Sequence, residues 1–223
     1  MKKLFIILLA AGILFGAAAD IHAEDNPHYI KGRELCNEKK YDDAIAELKQ
    51  ALVTEDKKLK KNVLATIGFA YSMQKKFNES VSYFNDALEI DPDFIYANEM
   101  LGLVYIAGLK DYEKGMKYSL KAEKLGSENG AVYYAMACYY SLKNDKEKVF
   151  RYLDTAVLYN FRNSNALKND PDFNNVRSDS RFTNFTANFN SIVEGNKYIK
   201  EADASCLAGD YEKSVKLYMQ AID

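Results

Sequence analysis

The chain writes one phrase several times. The alanines that close the phrase are Ala51, Ala87, Ala122, Ala156 and Ala221, separated by 36, 35, 34 and 65 residues. A second marker is the small residue in the preceding run: Gly32, Gly68, Gly102, Ala137 and Ala202, separated by 36, 34, 35 and 65 residues. Two independent markers keep a period of about 35, the sign of stacked supersecondary units. A third small position agrees at Ala44, Ser80, Gly115 and Ser214, with Val149 as its imperfect member. No unit of this size buries its own apolar surface, so neighbours must complete the core.

Each unit holds two amphipathic runs. Leu64, Ile67, Gly68 and Tyr71 fall on one face of the first run in the second unit. Val81, Phe84, Ala87 and Leu88 do so in the second run. Both periods are helical. An aromatic stands between the runs at Tyr41, Phe77, Tyr112 and Tyr211, placed to wedge the pair closed while the small residues let the backbones approach. The third unit carries one extra residue, which the spacing assigns to its turn, "AGLKDY".

The spacing resembles the tetratricopeptide repeat family. In the second unit the matching positions are Ile67, Gly68, Tyr71, Ser80, Phe84, Ala87 and Pro92. The third gives Leu101, Gly102, Tyr105, Gly115 and Ala122, and the fourth Met136, Ala137, Tyr140, Val149, Leu153 and Ala156. The first unit departs at Lys31 and the last at Glu201 and Ser205, as terminal units facing water often do. The resemblance implies an all-α fold, a right-handed superhelical solenoid of antiparallel helix pairs. It divides the chain into four pairs over 26–160, a degenerate repeat or linker helix over 161–194, and a final pair over 195–223.

Within 161–194, "DPDF" recurs at 170–173 after its first use at 91–94. Asp170-Pro171 stops a helix. Phe182, Phe185 and Phe189 then fall three and four apart, which reads as one apolar helical face. This segment resembles those that close repeat arrays in bacterial members of the family; a lid is the alternative.

The front of the chain has the layout of a secretory signal peptide. Lys2 and Lys3 precede an uncharged run from Leu4 to Ala19, and Ala17 and Ala19 supply a cleavage site. Cleavage places the mature N-terminus at Asp20, or at Glu24 as second choice, and the protein in the periplasm or outside the cell; an uncleaved anchor is the alternative. The mature chain is then about 200 residues, enough for one small solenoid.

Composition excludes several functions. The net charge is -2 and no basic run stands out beyond Lys57–Lys61, which argues against nucleic acid. Two histidines, His22 and His28, cannot build a metal site between them. Cys36, Cys138 and Cys206 are too few for a disulfide scaffold and read as small buried side chains. There is no glycine-rich phosphate loop, no histidine inside the repeats beyond His28 at their start, and no pattern that calls for a cofactor or metal. The expectation is that the protein is not an enzyme.

In the family the first helix of each pair lines a concave groove. Residues just after the small position then face it: Arg33, Phe69, Leu103, Cys138 and Asp203. Tyr29, Ala65, Glu99 and Tyr134 stand one turn earlier. Members that clamp a partner's C-terminal carboxylate use Lys, Arg and Asn here; this chain does not. Phe69, Tyr96, Leu103 and Tyr134 instead imply an apolar or aromatic peptide, unless the chain's own segments fill the groove. The expected function is a protein-interaction scaffold of the cell envelope, with another protein or peptide as partner. The alternative is a structural component with fixed lateral contacts, associated peripherally with an envelope complex.

Overall fold

A computed structural model describes residues 26–222; the segment read as a signal peptide lies outside the described residues. All regular structure among them is helical. The helices are α1 (Pro27–Asn37), α2 (Tyr41–Ala51), α3 (Lys57–Met73), α4 (Phe77–Ile90), α5 (Ile95–Leu103), α6 (Tyr112–Lys124), α7 (Gly130–Leu142), α8 (Lys146–Leu158), α9 (Ser164–Asn169), α10 (Ser180–Ala187), α11 (Phe189–Leu207) and α12 (Tyr211–Ile222). No described helix is long and apolar enough to cross a membrane. Contacts group the chain into two compact units, one through Ala135 and one from Met136, so the division falls inside α7.

The first unit holds three repeating antiparallel pairs, α1 with α2, α3 with α4 and α5 with α6. The two sequence markers explain their closeness. Gly32, Gly68 and Gly102 are buried, and a methyl group at Gly102 would stand 2.4 Å from Ser119 Oγ. Gly115 is tighter: its methyl would meet Ile106 N at 2.9 Å and Gly102 O at 3.0 Å. The closing residues Ala51, Ala87 and Ala122 have no exposed surface. Between pairs, α2 packs on α3 and α4 on α5, so the first helix of each pair covers the second helix of the one before.

The second unit contains α8, packed on α11, and the pair α11 with α12. Ala156 and Ala202 are fully buried in it, as is Val149 at the imperfect small position. Over 161–194 the chain forms two short helices, α9 and α10, with a 3-10 turn at Pro171–Phe173 between them. The single helical face expected for Phe182, Phe185 and Phe189 is divided, because the chain leaves helical geometry at Asn188 (φ -96°, ψ 10°). All three rings are nonetheless buried, with Phe182 against Phe173 and Phe189 between Phe161 and Phe185.

One turn design joins every pair. Two residues before the second helix, the backbone is left-handed at Lys39, Lys75, Lys110, Asn144 and Gly209, with φ from 57° to 79°. The following amide returns to the first helix, from Lys40 to Leu35 O, Lys76 to Tyr71 O, Asp145 to Tyr140 O and Asp210 to Ser205 O. These loops are the helix-ending motif that glycine favours, yet four of the five are built without it. The third unit corrects the sequence expectation for its extra residue. There Asp111 N–H returns to Tyr105 O, one residue further than in the other units, and Val104–Leu109 forms a π-helical turn. The insertion sits in the helix, where a wider turn accommodates it without losing backbone hydrogen bonds.

Candidate functional site

The first helices carry the four groove candidates. Phe69 on α3 is 7% exposed, Leu103 and Tyr134 are fully buried, and Tyr96 is half-buried. Thus Leu103 and Tyr134 present no open surface to a ligand in this structure. Phe69 differs, because it borders a shallow depression shared with Arg33, Cys36, Asn37 and Thr66. Of the residues read as groove-facing, the structure brings Arg33 and Phe69 together at one place, where α1 meets α3. Arg33 lies 5.7 Å from the centre of the Tyr29 ring. Burial raises the Tyr29 hydroxyl above its ordinary pKa, while a hydrogen bond with Thr66 and the Arg33 charge pull it back. The Cys36 thiol is pushed up to about 12 by burial, so it stays protonated and is a poor nucleophile.

Glu99, another groove-facing candidate, is a buried carboxylate on α5. Ser127 Oγ donates to one oxygen at 2.5 Å and Asn129 Nδ2 to the other at 3.1 Å. Both donors are themselves fixed: Asn129 N–H donates to Ser127 Oγ, Ala131 N–H to Asn129 Oδ1, and the Tyr133 hydroxyl to Ser127 O. Burial raises the Glu99 pKa and the two hydrogen bonds lower it, with burial the larger effect. Every polar group of this network is committed to holding the loop between α6 and α7. Glu99 is therefore a structural group, and its oxygens do not line an open site.

A recurrent feature escaped the sequence reading. Tyr71 stacks on Tyr83, Tyr105 on Tyr118 and Tyr140 on Tyr152, with ring centres 5.4, 5.8 and 5.4 Å apart. Lys76, Lys114 and Lys148 stand over Tyr71, Tyr105 and Tyr140 respectively. The aromatics recur three residues after each small marker, on both helices of a pair, so the period of 35 could have revealed the partners. Stacked rings tie the two helices of a pair together. In the third unit the π turn leaves this stack intact.

The two "DPDF" stretches form matching turns. Asp91 accepts from Asp93 N–H at 3.1 Å and Asp170 from Asp172 N–H at 3.0 Å. The first is held by Lys61, 2.5 Å from Asp91, which lowers the Asp91 pKa. In the second, Arg177 donates to Asp170 O at 2.8 Å, and the buried Cys138 thiol lies 3.7 Å from Asp170 Oδ2. Cys138, Asp170 and Asp172 gather within 4.8 Å. Asp170 serves there as the cap of the 3-10 turn, and the trio forms no convincing metal centre. Cys36 and Cys138 are buried as expected; Cys206 corrects the expectation, being exposed.

His28, the histidine among the described residues, bonds Glu47 at 2.7 Å on an exposed face. Among the described residues no catalytic group assembles around it or around the thiols. The arrangement is that of an all-helical fold of repeating antiparallel helix pairs. A search of curated proteins finds no match to this chain. Residues 62–94, which cover most of α3, all of α4 and the first "DPDF" turn, match the family model of the tetratricopeptide repeat.

Proposed function

We propose that the protein is a non-enzymatic scaffold of the cell envelope that holds an apolar or aromatic peptide segment of another protein. The observation that supports this best is the depression at Phe69. It is the place where two groove-facing positions of successive repeats, Arg33 and Phe69, border the same opening. There the edge of the Phe69 ring can meet a partner side chain while Arg33 and Asn37 supply polar contacts beside it. Leu103, Tyr134 and Tyr96 do not border this depression. Export rests on the Lys2 to Ala19 layout, and the mass of the native protein tests it: a species retaining Met1 would contradict cleavage.

The binding reading is tested with a displayed library of random peptides. Enrichment of aromatic and apolar peptides is expected, with their affinity falling at least tenfold in Arg33→Glu and Phe69→Ser. An enriched peptide indifferent to both substitutions, with the thermal midpoint retained, would place binding elsewhere.

A further inference from the structure

The depression at Phe69 is chemically lopsided. Arg33, Cys36 and Asn37 line it from α1, and Thr66 and Phe69 from α3. Arg33 carries the one formal charge in this lining, and no carboxylate stands among the five. The carboxylates of α1, Glu34 and Glu38, are engaged by Lys31 and Lys40. The opening is positive at Arg33 and apolar at Phe69 and the buried Cys36.

Both ends are held in place. The Arg33 guanidinium lies over the Tyr29 ring, 5.7 Å from its centre. Tyr29 is buried, and its hydroxyl is hydrogen-bonded with the buried Thr66, so the cation rests on a fixed platform. A guanidinium is a planar fork of donors that matches a carboxylate through two parallel bonds. The lining adds one amide, Asn37, and no second cation. This suits a single side-chain carboxylate better than a chain terminus, which clamping members of the family surround with several basic groups. At the other end, the positive edge of the Phe69 ring favours the negative face of a partner ring.

The register sets the spacing. Arg33 and Phe69 hold the same position in successive units, one residue after the small markers Gly32 and Gly68. Helices packed side by side stand about 8–10 Å apart. An extended peptide advances about 3.3 Å per residue and turns residues i and i+2 to the same side, roughly 7 Å apart. The long Arg33 side chain spans the remainder. A separation of three would turn one of the two side chains away from the site.

We propose that this depression selects an extended peptide in which an acidic side chain stands two positions from an aromatic one, with the carboxylate on Arg33 and the ring on Phe69. The inference rests on the peptide-binding reading above and adds the charge and spacing of the partner. A displayed library of random peptides should enrich Asp or Glu two positions from Phe, Tyr or Trp. The leading peptide is then made with an amidated C-terminus and its binding followed by fluorescence anisotropy. Changing its acidic residue to the corresponding amide should weaken binding to the parent protein about tenfold, and to Arg33→Gln less than about twofold. Peptides that require Phe69 yet bind equally well with acid or amide would overturn this inference and leave the peptide-binding reading standing. So would loss of binding on C-terminal amidation, which would assign the carboxylate to the chain terminus. A library that yields no peptide, or only peptides indifferent to Phe69→Ser at an unchanged thermal midpoint, would overturn both.

Discussion

Replacing Gly115 with alanine is the sharpest probe of how closely the pairs are packed. Its added methyl would stand 2.4 Å from Ile106 Cγ1, 2.9 Å from Ile106 N and 3.0 Å from Gly102 O. The first neighbour can rotate away; the other two are backbone atoms of the facing helical segment and can yield only if α5 and α6 separate. Overpacking of this kind costs about 1–3 kcal/mol. With two backbone contacts the upper half of that range applies. Alanine recovers about 0.5–1 kcal/mol of helix propensity. The net expectation is a loss of about 1–2.5 kcal/mol, or a fall in melting temperature of about 2–10 °C for a chain of this length. Gly195→Ala is the control. It lies inside α11, and its methyl would meet a single close atom, Ala221 O at 3.2 Å. Propensity and contact then nearly cancel. Urea titrations followed by circular dichroism compare the two variants with the parent. A midpoint for Gly115→Ala equal to or above that of Gly195→Ala would refute the close approach of α5 and α6.

Two further perturbations address the turns and the buried carboxylate. Lys75 is exposed and left-handed at φ 63°; Lys75→Gly should stabilise by about 0.5–1 kcal/mol by relieving the penalty on L side chains there, and a lower urea midpoint would count against the turn geometry. Glu99 has its folded pKa raised by burial, so the folded chain holds a proton that the unfolded chain releases. Its contribution is fully present below the unfolded value of about 4.3 and is lost as pH rises through the higher folded value. Wild-type stability should therefore fall relative to Glu99→Gln across that window, and parallel pH profiles of the two proteins would refute the assignment.

The helix pairs were legible because two markers repeat for a reason of contact. A small residue is demanded wherever two helices cross closely, and Gly32, Gly68, Gly102, Ala137 and Ala202 are all buried at such points. The groove was less legible. Apolar periodicity shows which way a side chain faces, and Leu103 looks the same in sequence whether a ligand or its own chain covers it. The place of the third unit's extra residue was hidden for a similar reason. Counting shows that a residue has been added, while only the hydrogen bonds show that Val104–Leu109 takes it up. Asn188 interrupts the phenylalanine face with neither proline nor glycine to announce it. The wedge position also misled at one end: Tyr41, Phe77 and Tyr112 are half-buried, and Tyr211 is not, since its surroundings differ while its local sequence does not.

The π turn has a consequence for how such a chain can change length. Each residue added to an α-helix turns everything beyond it by about 100°. In a repeat array that rotation would swing the next knob out of its hole. At Val104–Leu109 the added residue enlarges a single loop of the spiral, and the left-handed turn at Lys110 and the Tyr105–Tyr118 stack keep their places. The segment works as a clutch: upstream and downstream gearing stay engaged while the count between them slips by one. Length and phase are uncoupled there, so a mutation in the number of residues is absorbed as a change in local girth.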